Sequence, residues 1–161
     1  MTIRTHFVTG PTGNVGEPLV RELVERDAPV IAGVREPEGD DKFPAGVEQR
    51  VFDYENPETW EGVFDDVDSL FVVRPPAISD VATHINPAID AAVDAGVDHV
   101  VTLSLLGVEK NPIVPHARIE KHVETLDVRW THLRPSFFMQ NLSTTQASAI
   151  RELDEILVPA G

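Results

Sequence analysis

The feature that most constrains the fold is a set of glycines spaced three residues apart near the amino terminus. Gly10, Gly13 and Gly16 follow the short apolar run Phe7-Val8 and precede a helical pattern that begins near Glu17. Glycine at such positions lets the chain turn sharply, brings the backbone close to a pyrophosphate and allows the next helix to pack on the strand. The helix start adds free N–H groups and the positive end of the helix dipole. The spacing predicts a dinucleotide-binding turn, and the alternative is a purely structural strand-to-helix turn. The residues predicted to hold the dinucleotide here are Gly10, Thr12, Gly13, Asn14 and Val15.

Apolar runs alternate with helical patterns along the rest of the chain. Residues 29–34 are continuously apolar, as expected for a strand that is covered on both faces. The predicted strands lie near residues 6–8, 29–34, 49–52, 69–73, 99–104 and 130–134. This alternation predicts an α/β fold of Rossmann type, a doubly wound parallel sheet of about six strands in the order 3-2-1-4-5-6 with helices on both faces. A length of 161 residues suits a single domain over residues 1–161.

Two helix starts are marked by proline. Asn56-Pro57 is typical of an N-cap followed by the first helical residue, and Trp60, Val63 and Phe64 then fall on one face of the predicted helix. The helix that ends near Ala95 has two possible starts. It begins either at Asn86-Pro87 or near Asp80 with a kink at the proline.

Charge excludes one class of partner. The chain has 27 Asp and Glu against 13 Lys and Arg, a net charge of −14, and the acids are scattered rather than gathered in a tail. A scattered excess is typical of a solvated surface, such as that of a halophilic protein. Direct nucleic-acid binding is not expected, because it requires clustered Lys and Arg.

Cysteine, metal and membrane signals are absent from the sequence. Without cysteine there is no disulfide, thiolate metal site or cysteine nucleophile, and the six histidines show no metal-binding spacing, so no metal is predicted. The first residues lack the apolar segment of a signal peptide, and no apolar run is long enough to span a bilayer. We therefore expect a cytoplasmic protein without a membrane partner.

Three segments carry a family resemblance. Residues 8–16, 94–104 and above all 131–141, which contain Leu-Arg-Pro-Ser-Phe-Phe-Met-Gln-Asn, resemble the NmrA-like branch of atypical short-chain dehydrogenases. The resemblance spans nearly the whole chain. It implies either an NAD(P)H-dependent reductase of quinones or similar carbonyl or enone substrates, or a non-catalytic NAD(P) sensor that acts through a protein partner.

The likeness departs from the family at the catalytic position. Related enzymes use a Tyr-x-x-x-Lys pair or a single lysine at the start of the helix after strand five. The only tyrosine here is Tyr54, and that helix begins Pro115-His116. His116 can face the cleft and donate a proton, or it is a surface or capping histidine. Ser104, at the end of strand five, is the second catalytic candidate, or it simply ends the strand.

The chain is also shorter than the reductases it resembles. We expect the lobe that covers the nicotinamide and shapes the substrate pocket to be missing, with poor turnover by this chain alone. Phe137, Phe138, Met139 and Asn141 then line one wall of the cleft, or the aromatic residues belong to the core. An exposed strip at Phe137, Phe138 and Met139 would favour a homo-oligomer.

Arg35 directs the choice of cofactor. An arginine just after the second strand can pair with a 2′-phosphate, whereas NAD selectivity usually needs an acid there. Glu36 follows it, so NADP is predicted and NAD stays possible. The resemblance adds Asp53 near the adenine, against the alternative of an ordinary turn aspartate, and Val73 and Arg74 after strand four as cofactor-binding candidates.

Overall fold

The computed structural model of the protein describes residues 4–39, 41–136, 138–144 and 146–156, and in these residues six strands form one parallel sheet. The strands are β1 (His6–Thr9), β2 (Val30–Val34), β3 (Glu48–Val51), β4 (Ser69–Val72), β5 (His99–Leu103) and β6 (Arg129–Leu133). Their order is β3-β2-β1-β4-β5-β6, and every neighbouring pair is parallel. The predicted Rossmann-type topology is therefore confirmed.

Five α-helices occur in the described residues; the first three connect strands and cover both faces of the sheet, and the last two follow β6. They are α1 (Gly16–Glu25), α2 (Val81–Asp94), α3 (Pro115–Val123), α4 (Gln140–Ser143) and α5 (Ala147–Leu153). The open question at α2 is resolved, because the Asp80 side chain caps the helix by accepting from the Thr83 N–H at 3.3 Å and Pro87 lies inside it. No helix in the described ranges is both long and apolar enough to cross a membrane.

The predicted helix after Asn56 is wrong in its length. The Asn56 side chain does cap the segment, accepting from the Glu58 N–H at 3.3 Å, but only a 3-10 turn over Pro57–Trp60 forms. The backbone becomes extended at Glu61, and Gly62 has φ of +67°, so the helical path ends there. Val63 and Phe64 still enter the core, although from a turn.

Successive residues of the central strands divide the core into two layers. Phe7 packs with α2, α3 and the segment after β3, where its ring makes edge-on contacts with Phe52 and Phe64 at centroid distances of 5.6 and 5.0 Å. Val8 points the other way and packs with Val20 of α1. This two-sided burial explains why β2 is continuously apolar and why the two central residues of β1, Phe7 and Val8, are both apolar.

Candidate functional site

A cleft of about 900 Å³ lies over the carboxyl ends of β1, β2 and β4. It is lined by residues 10–13, 33–36 with 38, 52–55 and 73–78, which are the turns that follow β1, β2, β3 and β4. The strand order reverses between β1 and β4, so the connections leave the sheet in opposite directions there and open a crevice. Ligands of open α/β sheets bind at this kind of switch point.

The glycine turn closes tightly against the start of α1. Gly10 has φ of +60°, and its carbonyl accepts the Gly13 N–H at 3.1 Å. A Cβ on Gly16 would lie 2.1 Å from the Gly10 oxygen, whereas one on Gly13 would lie 3.3 Å from it. Gly16 therefore lets the helix begin directly against the turn, as the sequence predicts.

The turn offers hydrogen-bond donors to an anion. Among the described residues, the backbone N–H groups of Thr12, Asn14 and Val15 have no protein acceptor, and no side chain caps α1. Thr12 and Gly13 line the cleft, while Asn14 and Val15 lie outside its lining and could contribute through their backbone. Free N–H groups at the start of a ten-residue helix form a favourable phosphate site.

The buried hydroxyl of Thr9 bonds to two residues that line the cleft, Tyr54 and Val73, and the sequence analysis did not identify this role. Thr9 Oγ1 donates to the Phe71 carbonyl at 2.9 Å and accepts from the Val73 N–H at 2.8 Å and the Tyr54 hydroxyl at 3.1 Å. Thr9 is only 1% exposed, and burial raises the pKa of Tyr54, so the phenol stays protonated. These bonds tie β1 to β4 and to the turn after β3. The position of Thr9 next to Gly10 and the single tyrosine of the chain were the available signals.

Arg35 lies free at the end of β2. Its exposed side chain lines the cleft beside Glu36 and makes no hydrogen bond or ion pair with any described residue. The following loop is held by Gln49, whose amide bonds both the N–H and the carbonyl of Glu38, at 2.8 and 3.2 Å. An unpaired guanidinium on a fixed loop is available to an anionic ligand.

Asp53 both lines the cleft and makes a turn. Its Oδ1 accepts the Glu55 N–H at 2.9 Å, and its carbonyl accepts the Trp60 Nε1–H at 2.7 Å. One carboxylate oxygen thus stabilises the turn, as the alternative hypothesis of an ordinary turn aspartate predicts. The other has no protein donor among the described residues.

Arg74 shapes the wall of the cleft after β4. Its Nη1 donates to the carbonyls of Pro75, Pro76 and Ile78 at 3.0, 3.2 and 2.6 Å, so the guanidinium holds the loop 75–78 in place. Nε is buried and has no partner in the described part of the chain. Burial lowers the pKa of Arg74. Val73 precedes it in the lining, with a methyl group near Gly10.

The two catalytic candidates lie outside the lining of this cleft. His116 is half-buried in the first turn of α3, and burial followed by the charge of Arg74 lowers its pKa, so the imidazole is neutral near pH 7. Ser104 is buried, and its Oγ makes no hydrogen bond of ordinary geometry to a described residue, although it lies close to Glu120. Arg74 therefore lies close enough to His116 for its charge to act on the imidazole.

The predicted aromatic wall is only partly described. Phe138 and Asn141 are half-buried and Met139 is 71% exposed, while Phe137 lies outside the described residues. Leu106 and Ile113, at 67% and 74% exposure, add apolar surface in the segment between β5 and α3.

Comparisons with known proteins agree with this geometry. Residues 10–157 match the model of a family described as NAD(P)H-binding. An NAD(P)H azoreductase of Xenophilus azovorans is 35% identical in an alignment of length 160 that covers 96% of this chain and 55% of that protein. The chain spans about half of the length of the curated relatives that it matches.

Solved structures place the same fold around NADP(H). Triphenylmethane reductase of Citrobacter sp., crystallised with NADP(H), superposes with a TM-score of 0.79 at 27% identity, covering 98% of this chain and 58% of that one. An NADPH-dependent quinone oxidoreductase of Escherichia coli, crystallised with NADPH, gives a TM-score of 0.77 at 25% identity over 91% of this chain and 54% of that one.

Proposed function

The chain belongs to the NAD(P)H-binding family, as its resemblance to NmrA-like reductases predicted, and from this premise we propose that it binds NADP(H) and reduces a small quinone or azo compound. The observation that carries the proposal is the anion site at the glycine turn, which opens into a cleft of about 900 Å³. A volume of this size is at the upper end of the range for small-molecule and cofactor sites.

The residues of the cleft fit the parts of a dinucleotide. The free N–H groups of Thr12, Asn14 and Val15 would hold the pyrophosphate, and the unpaired Arg35 guanidinium would pair with a 2′-phosphate. Asp53 would face the adenine half, while Val73 and Arg74 line the cleft after β4. When bound, NADPH supplies the hydride, and the protein positions the reactants and excludes water.

His116 is the residue that we propose assists the protonation of the substrate. Two-electron reduction of a quinone or azo group takes a hydride and a proton, so a donor is needed besides the cofactor. His116 is neutral near pH 7 because burial and Arg74 lower its pKa. A neutral imidazole can still donate its N–H as a hydrogen bond to the developing negative charge, with the proton then coming from solvent.

Cofactor titration tests the binding half of the proposal. Fluorescence or calorimetric titration should show NADPH binding about tenfold or more tighter than NADH, because a charge-assisted pair with the 2′-phosphate contributes about 1.5–3 kcal/mol. Arg35→Ala should remove most of that preference. Arg26→Ala is the matched control, since Arg26 is an exposed arginine that pairs with Glu22 at 2.6 Å, outside the cleft. Equal affinities for the two cofactors in the parent protein would overturn the assignment.

A non-catalytic NAD(P) sensor is the second candidate. It is favoured by the engagement of the only tyrosine, Tyr54, as a buried hydrogen-bond donor to Thr9, which leaves no phenol to protonate a substrate. NADPH oxidation with a panel of quinones and azo dyes separates the two functions. Turnover above background that falls about tenfold or more in His116→Ala supports the reductase. Tight NADPH binding with background turnover supports the sensor.

We also propose that the chain forms a homo-oligomer through its exposed apolar residues. Leu106, Ile113 and Met139 are each more than half exposed, and a surface of this kind favours contact with another protein chain. Light scattering should show a homo-oligomer, and Met139→Lys should shift it toward the monomer. A monomer at all concentrations would contradict this.

A further inference from the structure

A second polar cluster lies away from the cleft, between α3 and the edge strand β6. It consists of the side chains of Glu120, Glu124 and His132, whose ligand atoms all lie within 4.8 Å of one another. We propose that this cluster, the α3–β6 site, binds a divalent first-row transition ion such as Zn²⁺. None of its members lines the cofactor cleft, so the inference does not depend on the proposed function.

The fold brings the three groups together by simple geometry. Glu120 lies on α3, and Glu124, four residues later, is the C-cap residue of that helix with helical backbone angles, so the two side chains share one face, while His132 lies on β6. Zinc binds histidine nitrogen and carboxylate oxygen at about 2.0–2.2 Å in a tetrahedral arrangement, so two ligand atoms on one ion lie about 3.3–3.6 Å apart, somewhat closer than the 4.8 Å limit of this cluster. Small side-chain movements would bring the three groups onto one ion.

His132 provides the independent evidence for a ligand. Its side chain is 4% exposed, and Nε2 has no hydrogen bond in the described part of the chain, lying 3.5 Å from Glu124 Oε1. The other ring nitrogen, Nδ1, lies 2.6 Å from Thr102 Oγ1, and the ring stacks on Trp130 at a centroid distance of 4.6 Å. A histidine held through Nδ1, with a buried bare Nε2 facing carboxylates, has the arrangement of a metal ligand with its supporting contact.

Glu120 keeps coordination capacity although it is paired with Arg134. Arg134 Nε and Nη2 donate to the two Glu120 oxygens at 2.9 and 2.7 Å. Each carboxylate oxygen accepts more than one partner, so a lone pair stays available on Glu120. Glu109, 3.8 Å from Arg134, adds a third carboxylate around this single guanidinium, and the local excess of negative charge favours a divalent cation.

The site is accessible from solvent on one side. The Glu124 side chain is 43% exposed, whereas those of Glu120 and His132 are 7% and 4% exposed. An ion could therefore enter past Glu124 and reach the two buried ligands. Once bound, it would join α3 to the edge strand and stabilise the fold.

Metal titration of tag-free, chelator-treated protein tests the proposal. Calorimetry should show one Zn²⁺ per chain, Zn²⁺ should raise the thermal midpoint, and Co²⁺ should give a visible absorption band of a nitrogen- and oxygen-coordinated ion. Mg²⁺ should not substitute, because imidazole ligation favours transition ions. Absence of Zn²⁺ binding, or equal binding of Mg²⁺, would overturn the proposal.

Variants separate this site from adventitious binding. Glu124→Gln keeps the size of a side chain that is 43% exposed but removes its charge, and it should weaken Zn²⁺ binding about tenfold or more. His132→Gln should abolish binding. The matched control is His122→Gln, which removes another α3 histidine that lies 2.7 Å from the Asp90 carboxylate. Binding that persists in Glu124→Gln, or that is lost equally in His122→Gln, would place the ion elsewhere.

Discussion

The buried hydroxyl of Thr9 offers the sharpest test of how the cleft is held together. Thr9→Val keeps the shape of the side chain but leaves the Val73 N–H and the Tyr54 hydroxyl without an acceptor and the Phe71 carbonyl without its donor. Thr9 is 1% exposed, so water cannot take the place of its hydroxyl without local opening. We expect Thr9→Val to be strongly destabilising although it adds no bulk.

The magnitude follows from the groups left unpaired. A donor left without a partner in the protein interior costs about 1–3 kcal/mol, so the two stranded donors give about 2–6 kcal/mol for Thr9→Val. Tyr54→Phe removes one hydroxyl and leaves Thr9 with its two backbone bonds, so we expect about 0.5–1.5 kcal/mol. In the double variant the Tyr54 hydroxyl is no longer stranded, and the combined loss should be smaller than the sum by about 1 kcal/mol.

Denaturant and thermal unfolding of the parent protein, Thr9→Val, Tyr54→Phe and the double variant measure these differences in stability. For a domain of this size the thermal midpoint moves by about 2–4 °C per kcal/mol, so Thr9→Val should lower it by about 10 °C. Thr125→Val serves as control, because its exposed hydroxyl only donates to the His122 carbonyl at the end of α3, and it should change little. A Thr9→Val protein within about 0.5 kcal/mol of the parent, or strict additivity with Tyr54→Phe, would refute the reasoning.

Three further predictions follow from backbone geometry, charge and titration. Gly16→Ala should abolish cofactor binding and destabilise the fold, because its Cβ would lie 2.1 Å from the Gly10 oxygen. Gly13→Ala should lower the free energy of unfolding far less, because its Cβ would lie 3.3 Å from the same oxygen. Similar losses of stability in both variants would contradict the steric account. Thermal midpoints should rise from about 0.1 M to about 2 M NaCl, because salt screens the self-repulsion of a chain with net charge −14, and a flat profile would make the acidity incidental. Burial lowers the pKa of His6, His99 and His116 below the usual 6.5, so the unfolded state binds more protons below that pH, and the free energy of unfolding should fall as pH drops through 6.5. His116→Gln should reduce this loss, and an unchanged pH profile in the variant would argue against the shift.

The elements with simple periodicity were predictable from the sequence. β2 is buried on both faces along its whole length, which gives the continuous apolar run over residues 30–34. The segment after Asn56 misled the prediction because its cap and apolar spacing are those of a helix, while Gly62 at φ +67° turns the chain away. A glycine in a helical pattern is compatible with either outcome, and in the turn that forms Val63 and Phe64 join the same core cluster as Phe7.

Features of the two sites that depend on neighbouring residues were predictable from the sequence, whereas contacts between residues far apart in the chain were not. The glycine turn and Arg35 are local, because their function depends on neighbours within a few residues, and the sequence pattern predicts them. The bond between Thr9 and Tyr54 joins residues 45 positions apart, and the Thr102–His132 contact joins residues 30 positions apart. Such pairs follow from strand order and register, since Thr102 and His132 are direct partners across β5 and β6.

Register also explains why histidine spacing gave no metal signal. Sequence motifs for metal ions rely on ligands within one helix or loop, as in two histidines one turn apart. Here Glu120 lies on α3 and Glu124 caps its carboxyl end, whereas the histidine comes from the edge strand β6. A helix that packs against a strand can bring two of its side chains close to a strand residue that is distant in the sequence. The α3–β6 site therefore becomes visible only once β6 is placed at the edge of the sheet with His132 turned toward α3.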